Sequence, residues 1–246
     1  MRDWRGKKYW LIGASEGLGR ALAMQMSRAG AELILSARDA ERLADLQSKL
    51  PGVATVLPLD VTDGAAFDAA AAQAGPVDGL VYMAGLARWV KPGNWNTADA
   101  VAMADINLTG ALRAIGAVLP AMVARNSGHI VLTGSLAGYR GLPRMAAYGA
   151  TKAAVNYLAE SLRADLRSTA VEVQVVNPGF IRTRMTAPNT QPMPFLMDAD
   201  TAARAYFEAM NDDALKRAFP FPLAAAVRLG QFLPGWLYYP LFGRSR

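Results

Sequence analysis

The chain alternates short apolar runs with longer stretches of helical periodicity. The apolar runs predict six strands, at 9–12, 32–36, 53–57, 79–82, 129–133 and 171–176. The longer stretches predict helices near 17–29, 40–50, 64–74, 97–125 and 146–168. Strands that alternate with helices are typical of a parallel sheet covered on both faces. The pattern therefore predicts a doubly wound α/β fold in three α/β/α layers, as one domain over 1–246.

Two proline-rich apolar segments follow the last of these strands. Residues 184–198 contain Pro188, Pro192 and Pro194 among methionine and phenylalanine side chains, which argues against a regular element. We interpret about 184–200 as a lid over an apolar substrate. The segment 219–242 is aromatic and lies close to arginines. Packing on the domain, a subunit contact and peripheral membrane contact are alternatives for it.

Composition excludes several kinds of site. With 52% hydrophobic residues, the 246-residue chain can bury a large core. The chain has no cysteine and one histidine, His129, so we expect no metal site and no Ser-His-Asp triad. His129 opens a predicted strand, where a structural role is expected.

The formal net charge is +6, but the excess is concentrated at the two ends of the chain. The charged residues do not form the clustered basic pattern of nucleic-acid-binding proteins, so we expect no nucleic-acid partner. The N-terminal residues lack the apolar run of a signal peptide, and no uncharged run is long enough to span a bilayer. These observations predict a cytoplasmic protein.

A glycine-rich turn follows the first predicted strand. It comprises Gly13, Ser15, Glu16, Gly17, Leu18 and Gly19 and leads directly into a helix. Glycine lets the backbone approach a pyrophosphate closely, and the helix N-terminus offers unpaired N–H groups to it. The spacing differs from that of most dinucleotide-binding turns, so this motif alone is also compatible with an ordinary turn.

Arg38 follows the tip of the second predicted strand. An acid near this position would bind the ribose hydroxyls of NAD, whereas an arginine accommodates the 2′-phosphate of NADP. Asp39 precedes a predicted helix and is expected to cap its N-terminus. We therefore predict a preference for NADP(H), and NAD(H) stays an alternative.

Ser135, Tyr148 and Lys152 form a third group of candidate functional residues. Ser135 closes the fifth predicted strand, and Lys152 lies one helical turn after Tyr148 on the same face. A neighbouring ammonium is expected to lower the pKa of a tyrosine towards the range useful for acid–base catalysis. Ser135 could then hold a substrate oxygen by a hydrogen bond.

In combination these motifs resemble the short-chain dehydrogenase/reductase family in its single-domain form, over roughly 7–183. The resemblance assigns the catalytic roles to Asn107, Ser135, Tyr148 and Lys152. It also assigns cofactor contacts to the glycine turn and to Arg38, Asp60, Val61, Ala84, Gly85, Asn107, Tyr148, Lys152, Pro178, Gly179, Ile181 and Thr183. It implies a Rossmann-like sheet of about seven strands, the seventh near 217–219.

The resemblance also implies a division of labour. Tyr148 would be the general acid in reduction, Lys152 would hold the nicotinamide ribose, and Asn107 would support a water in a proton relay. Ile12 and Met83 depart from the family pattern, where threonine and asparagine are usual. A homodimer or homotetramer is implied, through the helices that carry Asn107 and Tyr148.

The predicted function is NADP(H)-dependent interconversion of an apolar ketone or aldehyde and an alcohol. A nicotinamide-nucleotide-binding scaffold or regulator with little turnover is the alternative. A lyase or epimerase on the same fold is less favoured, because relatives of that type carry a substrate domain after the sheet.

Overall fold

The computed structural model describes residues 2–242, and its centre is a seven-stranded parallel sheet. The strands are β1 (Lys8–Ile12), β2 (Glu32–Ser36), β3 (Ala54–Val56), β4 (Gly79–Tyr82), β5 (Gly128–Thr133), β6 (Val171–Pro178) and β7 (Lys216–Phe219). Their order across the sheet is β3-β2-β1-β4-β5-β6-β7. Because the order reverses between β1 and β4, a crevice opens beyond the carboxyl ends of these two strands. The predicted Rossmann-like α/β fold is confirmed.

Helices cover both faces of the sheet. They are α1 (Gly17–Arg28), α2 (Ala40–Gln47), α3 (Gly64–Ala74), α4 (Thr97–Ala104), α5 (Gly110–Ala124), α6 (Ala146–Asp165), α7 (Ala199–Met210), α8 (Phe221–Gly230) and α9 (Gly235–Phe242). Strand side chains alternate between two apolar cores, so that Trp10 and Ile12 pack with α3, α5 and α6. Tyr9 and Leu11 point to the other side and pack with α1, α2 and α7.

The helix predicted at 97–125 is interrupted, which corrects the sequence analysis. Residues Asp105–Thr109 form a π-helical turn between α4 and α5. The hydroxyl of Tyr82 donates a hydrogen bond of 2.5 Å to the carbonyl of Ile106. Gly110 leaves room for this hydroxyl, because an added Cβ would overlap it. The tyrosine on β4 therefore accounts for the local change in helical winding, which is common near functional sites.

The same stretch, Thr97–Ala124, is long and apolar enough to cross a membrane by length and composition alone. Its inner side contributes Met103, Ala111, Ile115 and Met122 to the buried residues of the protein. We interpret it as a core helix, since such helices satisfy the same criterion.

The C-terminal part of the chain is more regular than its prolines suggested. The expected seventh strand is present as β7, paired with β6. Helix α7 was not predicted; Asp198 caps it by accepting a hydrogen bond from the amide of Thr201. The apolar segment 219–242 contains α8 and α9, with Pro222 in the first turn of α8. Arg244 and Arg246 lie outside the described residues.

Candidate active site

A cleft of about 630 Å³ opens at the carboxyl ends of the central strands. Most of the predicted site residues line it: Gly13, Ser15, Glu16, Gly17, Leu18, Gly19, Arg38, Asp60, Val61, Ala84, Gly85, Tyr148, Lys152, Pro178, Gly179, Ile181 and Thr183. Further lining residues were not predicted, among them Ala37, Leu86, Ile106 and Thr133. Ser135 and Asn107 lie behind this surface and are buried. A single cavity thus joins the glycine turn to the tyrosine–lysine pair.

The glycine turn brings β1, β4 and α1 close together. Gly13 has a φ of +99°, and a Cβ added to it would lie 2.5 Å from the amide nitrogen of Ala84. A Cβ on Gly19 would overlap the carbonyl oxygen of Gly13. Glu16 precedes α1 without a side-chain capping bond within the described chain. The first N–H groups of α1 are therefore available to an anion in the cleft.

The far end of the cleft is bordered by Arg38 and Asp60. Although burial alone would raise the pKa of Asp60, hydrogen bonds from the amide and hydroxyl of Thr62, together with the charge of Arg38, lower it. The two Thr62 bonds measure 3.0 and 2.8 Å. Asp60 is accordingly an anion that attracts Arg38.

Asp39 has the structural role that the sequence predicted. Its carboxylate accepts a hydrogen bond of 3.0 Å from the amide of Arg42 and caps α2. The Arg42 guanidinium also pairs with Glu16 at 2.7 Å. Glu16 in turn accepts from Arg184 at 2.9–3.0 Å, which connects the glycine turn to the start of the predicted lid.

Ser135 and Tyr148 meet across the loop that joins β5 to α6. The Ser135 hydroxyl accepts a bond of 3.1 Å from the amide of Ala137. Tyr148 lies in the first turn of α6 and is half-buried. Burial raises the pKa of Tyr148, while hydrogen bonding with Ser135 acts in the opposite direction. Ser135 is therefore a direct partner of the tyrosine hydroxyl.

Lys152 is 5% exposed, and its ammonium donates a hydrogen bond of 2.8 Å to the carbonyl of Thr133. Burial lowers the pKa of this lysine to about 8. Its Nζ lies 5.9 Å from the centre of the Tyr148 ring. The sequence predicted that Lys152 lowers the pKa of Tyr148. In the protein without cofactor this is corrected, because burial has the largest influence on the Tyr148 pKa and raises it.

Asn107 lies in the π-helical turn and is 1% exposed. Its amide donates to the carbonyl of Leu86 and the hydroxyl of Thr151, both at 2.9 Å. Its carbonyl oxygen accepts from the amide of Leu86 at 2.7 Å. The side chain therefore ties the loop after β4 to helix α6, and Gly85 lies between Asn107 and the Lys152 ammonium.

A pair of buried asparagines supports the catalytic candidates and was not predicted as such. Asn177 accepts a bond of 2.9 Å from the amide of Ser135. Asn156 and Asn177 exchange two bonds of 3.0 Å, and Asn156 also donates to the carbonyl of Lys152 at 2.9 Å. Asn156 lies one helical turn after Lys152 on the same face of α6, and this spacing is the feature of the sequence that could have identified it. The pair joins β6, α6 and the Ser135 loop.

The predicted lid contributes Arg184, Met185 and Thr186 to the cleft. Phe195, the phenylalanine of the predicted lid, is 56% exposed and does not line the cleft. Its backbone has a φ of +56°. The base of the segment is held by two main-chain bonds: the amide of Arg182 donates to the carbonyl of Met197, and the amide of Met197 donates to the carbonyl of Phe180. Among the described residues of the lid, Met185 is the apolar side chain at the site.

His129 is buried at the opposite end of the sheet. Its ring is hydrogen-bonded to the Tyr9 hydroxyl at 3.0 Å and to Gln174 at 2.8 Å. Burial lowers its pKa to about 4, so it is neutral near pH 7. Within 2–242 no cluster of three or more His, Asp or Glu side chains is arranged for a metal ion.

Comparison with known proteins decides the family. The model of the short chain dehydrogenase family matches residues 7–194. The chain belongs to the short-chain dehydrogenases. An uncharacterized oxidoreductase of Myxococcus xanthus is 39% identical over 236 residues, which cover 93% of each chain.

Solved short-chain dehydrogenases are similar in structure as well. One from Burkholderia cenocepacia in complex with NADP is 25% identical, with a TM-score of 0.88 over 99% of this chain and 100% of that one. Another, from Sphingobium yanoikuyae in complex with NADPH, is 27% identical, with a TM-score of 0.82 over 98% and 96%.

As a short-chain dehydrogenase, the protein is an oxidoreductase that acts on CH–OH groups with a nicotinamide cofactor. The residues of the cleft fit such a cofactor. The space left by Gly13 and Gly19 and the open N-terminus of α1 suit a pyrophosphate. The cleft then continues to Tyr148 and Lys152, where chemistry on a substrate oxygen is possible.

Proposed function

We propose that this short-chain dehydrogenase uses NADP(H) to interconvert a ketone or aldehyde and an alcohol, and that it works as a reductase of apolar carbonyl compounds. One observation carries the proposal: the cleft that begins at the glycine turn ends at Tyr148 and Lys152. Cofactor-binding and acid–base groups therefore face the same space.

In this proposal Tyr148 gives its hydroxyl proton to the carbonyl oxygen during reduction and accepts it back during oxidation. Ser135, the hydrogen-bond partner of Tyr148, orients the same oxygen. The bound nicotinamide supplies or accepts the hydride. Because burial raises the pKa of Tyr148, the phenol keeps its proton at neutral pH, which suits a general acid.

Lys152 has a supporting role at the ribose. Its ammonium is held by the Thr133 carbonyl, so its remaining N–H donors can serve the ribose hydroxyls and the electrostatics of Tyr148. Asn107 uses its side chain to hold the 84–86 loop, and a proton relay would therefore rely on its main chain and on solvent. Residues 178–183 would border the nicotinamide.

The preference for NADP(H) over NAD(H) rests on Arg38. Its guanidinium borders the cleft next to Asp60, whereas the nearby acid Asp39 is engaged as a helix cap. An arginine matches a phosphate dianion in both charge and geometry. The relatives from Burkholderia and Sphingobium were solved with NADP and NADPH, which supports the same choice.

The apolar substrate class rests on the apolar side chains that line the cleft. Met83, Leu86, Ile106 and Met185 all line the cleft. Methionine adapts to irregular apolar shapes, which suits a lid residue. We also propose that about 184–200 acts as the lid and that 1–246 forms one domain located in the cytoplasm.

A homodimer through α5 and α6 fits the exposed apolar side chains of these helices. Leu112 and Val123 on α5 are 46% and 41% exposed, and Tyr157 on α6 is 74% exposed. Pairing of these helices between two subunits would cover all three.

Cofactor binding by the purified protein tests the proposal. NADPH and NADH are titrated while tryptophan fluorescence is followed, with Arg38→Ala as the variant and Arg167→Ala, an exposed arginine of another surface, as the matched control. We expect tighter binding of NADPH than of NADH, and a loss of about tenfold to a hundredfold for NADPH in Arg38→Ala only. Equal affinities that the variant leaves unchanged would contradict the NADP(H) preference. Tight binding without turnover on any carbonyl would favour the scaffold alternative.

A further inference from the structure

Helices α8 and α9 and the turn between them carry six exposed large apolar side chains. We define the C-terminal apolar face as Phe221, Leu229, Phe232, Trp236, Tyr239 and Leu241, which are 63–85% exposed. The described residues include thirteen exposed large apolar side chains, and these six fall within 21 consecutive positions. Concentration of this kind marks an interaction surface, whereas isolated exposed apolar residues do not.

The spacing along α8 places these residues on one side of the helix. Within α8, Arg228 and Leu229 follow Phe221 by 7 and 8 positions, and Phe232 lies two residues after the helix ends. Ala224 and Gly230 are buried against the rest of the protein. Helix α8 therefore has an inner side that packs on the domain and an outer side that is apolar with one arginine.

The two helices are fixed to the loop between Ser135 and Tyr148. The Arg140 guanidinium donates to the carbonyls of Gly230, Gln231 and Leu233 at 2.8, 3.2 and 2.6 Å. It also lies 3.9 Å from the centre of the Tyr238 ring, and Tyr238 donates to the carbonyl of Gly141 at 3.0 Å. The inner side is thus held by polar bonds and burial, and the residues of the C-terminal apolar face remain exposed.

The charged residues that follow Asp213 are all basic. No acidic residue follows Asp213, whereas Lys216, Arg217, Arg228, Arg244 and Arg246 do. Lys216 and Arg217 are paired with Glu160 and Asp212. Arg228, two helical turns after Phe221, is exposed, and its guanidinium lies 5.9 Å from the centre of the Tyr139 ring. A partner for this surface must therefore offer apolar groups and negative charge together.

We infer that the C-terminal apolar face docks the protein on the surface of an anionic phospholipid membrane. Tryptophan and tyrosine are the side chains that favour the lipid headgroup level, and arginine can reach phosphate from an apolar surface. Amphipathic helices with apolar and basic residues bind at this depth without spanning the bilayer. A second copy of the same face is a poorer occupant, because a two-fold contact would bring Arg228 towards its own counterpart with no acid of the segment to pair with.

Sedimentation of the full chain with lipid vesicles tests this inference. The vesicles are either phosphatidylcholine alone or phosphatidylcholine with phosphatidylglycerol, at low and high salt. The variants are Phe232→Ser/Trp236→Ser and, separately, Arg228→Glu. Val53→Ser is the matched control, because Val53 is 66% exposed but lies at the opposite edge of the sheet. NADPH affinity and thermal unfolding of each variant establish that it is folded.

We expect wild-type protein and Val53→Ser to sediment with anionic vesicles, less with neutral ones, and less at high salt. The double variant should reduce the bound fraction about tenfold, and Arg228→Glu should do so mainly on anionic vesicles. Absence of wild-type sedimentation, or equal binding by the double variant, would overturn the inference. A double variant that changes the oligomeric state in the absence of lipid would assign the face to subunit contact instead.

Discussion

The ammonium of Lys152 donates a hydrogen bond of 2.8 Å to the carbonyl of Thr133 at the end of β5. Two residues after Thr133, the same chain supplies Ser135, whose amide is held by Asn177. Strand β5 and helix α6 are therefore connected at the point where the catalytic candidates meet. The main chain of β5 therefore positions the Lys152 ammonium. We expect the loss of its proton to lower the activity.

The first prediction concerns the pH dependence of reduction. Burial lowers the pKa of Lys152 to about 8, so its ammonium is present below that pH and is lost as the pH rises through it. We expect kcat/KM for NADPH in carbonyl reduction to fall above about pH 8, approaching tenfold per pH unit, since this parameter reports groups of the enzyme before the cofactor binds. Steady-state rates with NADPH across the pH range measure this.

Loss of activity in this range can be distinguished from unfolding. Between about pH 8 and the ordinary pKa of lysine near 10.5, unfolded Lys152 binds more protons than folded Lys152. The contribution of this group to stability therefore increases with pH there. A flat activity profile through this range, in protein that stays folded, would contradict the role of Lys152.

The second prediction concerns Asn177, which is fully buried and bonded to Ser135 and Asn156. Replacement by alanine leaves the Ser135 amide without this partner and should lower the free energy of unfolding by about 1–3 kcal/mol. If Asn177 positions Ser135, kcat should also fall while the affinity for NADPH changes little. Chemical denaturation and steady-state kinetics measure the two effects.

Gln174→Ala is the matched control for Asn177→Ala. Gln174 is equally buried on the same strand, but its amide bonds lie at the opposite end, towards His129 and the carbonyl of Asp212. It should lower stability without lowering kcat. A parallel loss of kcat in both variants would reduce Asn177 to a purely structural role.

The third prediction separates two residues of the lid. Met185 lines the cleft, whereas Phe195 is 56% exposed outside it. Met185→Ser should raise KM for apolar carbonyl substrates about fivefold to thirtyfold, because one lost apolar contact is worth about 1–2 kcal/mol. Phe195→Ser should leave KM near the wild-type value. The reverse result would mean that the lid closes differently over substrate.

Local patterns were sufficient to predict the sheet. Each of the six predicted strands is present within three residues at either end, because apolar runs bounded by glycine, proline and polar residues specify buried parallel strands. Helix α7 was missed, since the prolines before it drew the interpretation to a loop, although Asp198 and Thr201 form an N-terminal cap. The π-helical turn could not be predicted, because it depends on Tyr82, more than twenty residues away in the chain.

The candidate site shows the same division between local and distant contacts. Spacing within one helix identified Tyr148 and Lys152, and a turn motif identified Gly13, Gly17 and Gly19. The direction of the Tyr148 pKa could not be predicted in this way, because it follows from burial by residues of several elements. The link between Asn156 and Asn177 likewise joins a helix to a strand 21 positions later.

The most direct test of the proposed function compares wild-type protein with Tyr148→Phe during oxidation of NADPH by a panel of apolar ketones and aldehydes. The variant removes one hydroxyl and keeps the ring. The account predicts turnover by the wild type, unchanged NADPH affinity in the variant, and a kcat lowered by about 10²–10⁴-fold. Equal turnover by Tyr148→Phe, or no turnover by wild-type protein that binds NADPH tightly, would contradict it.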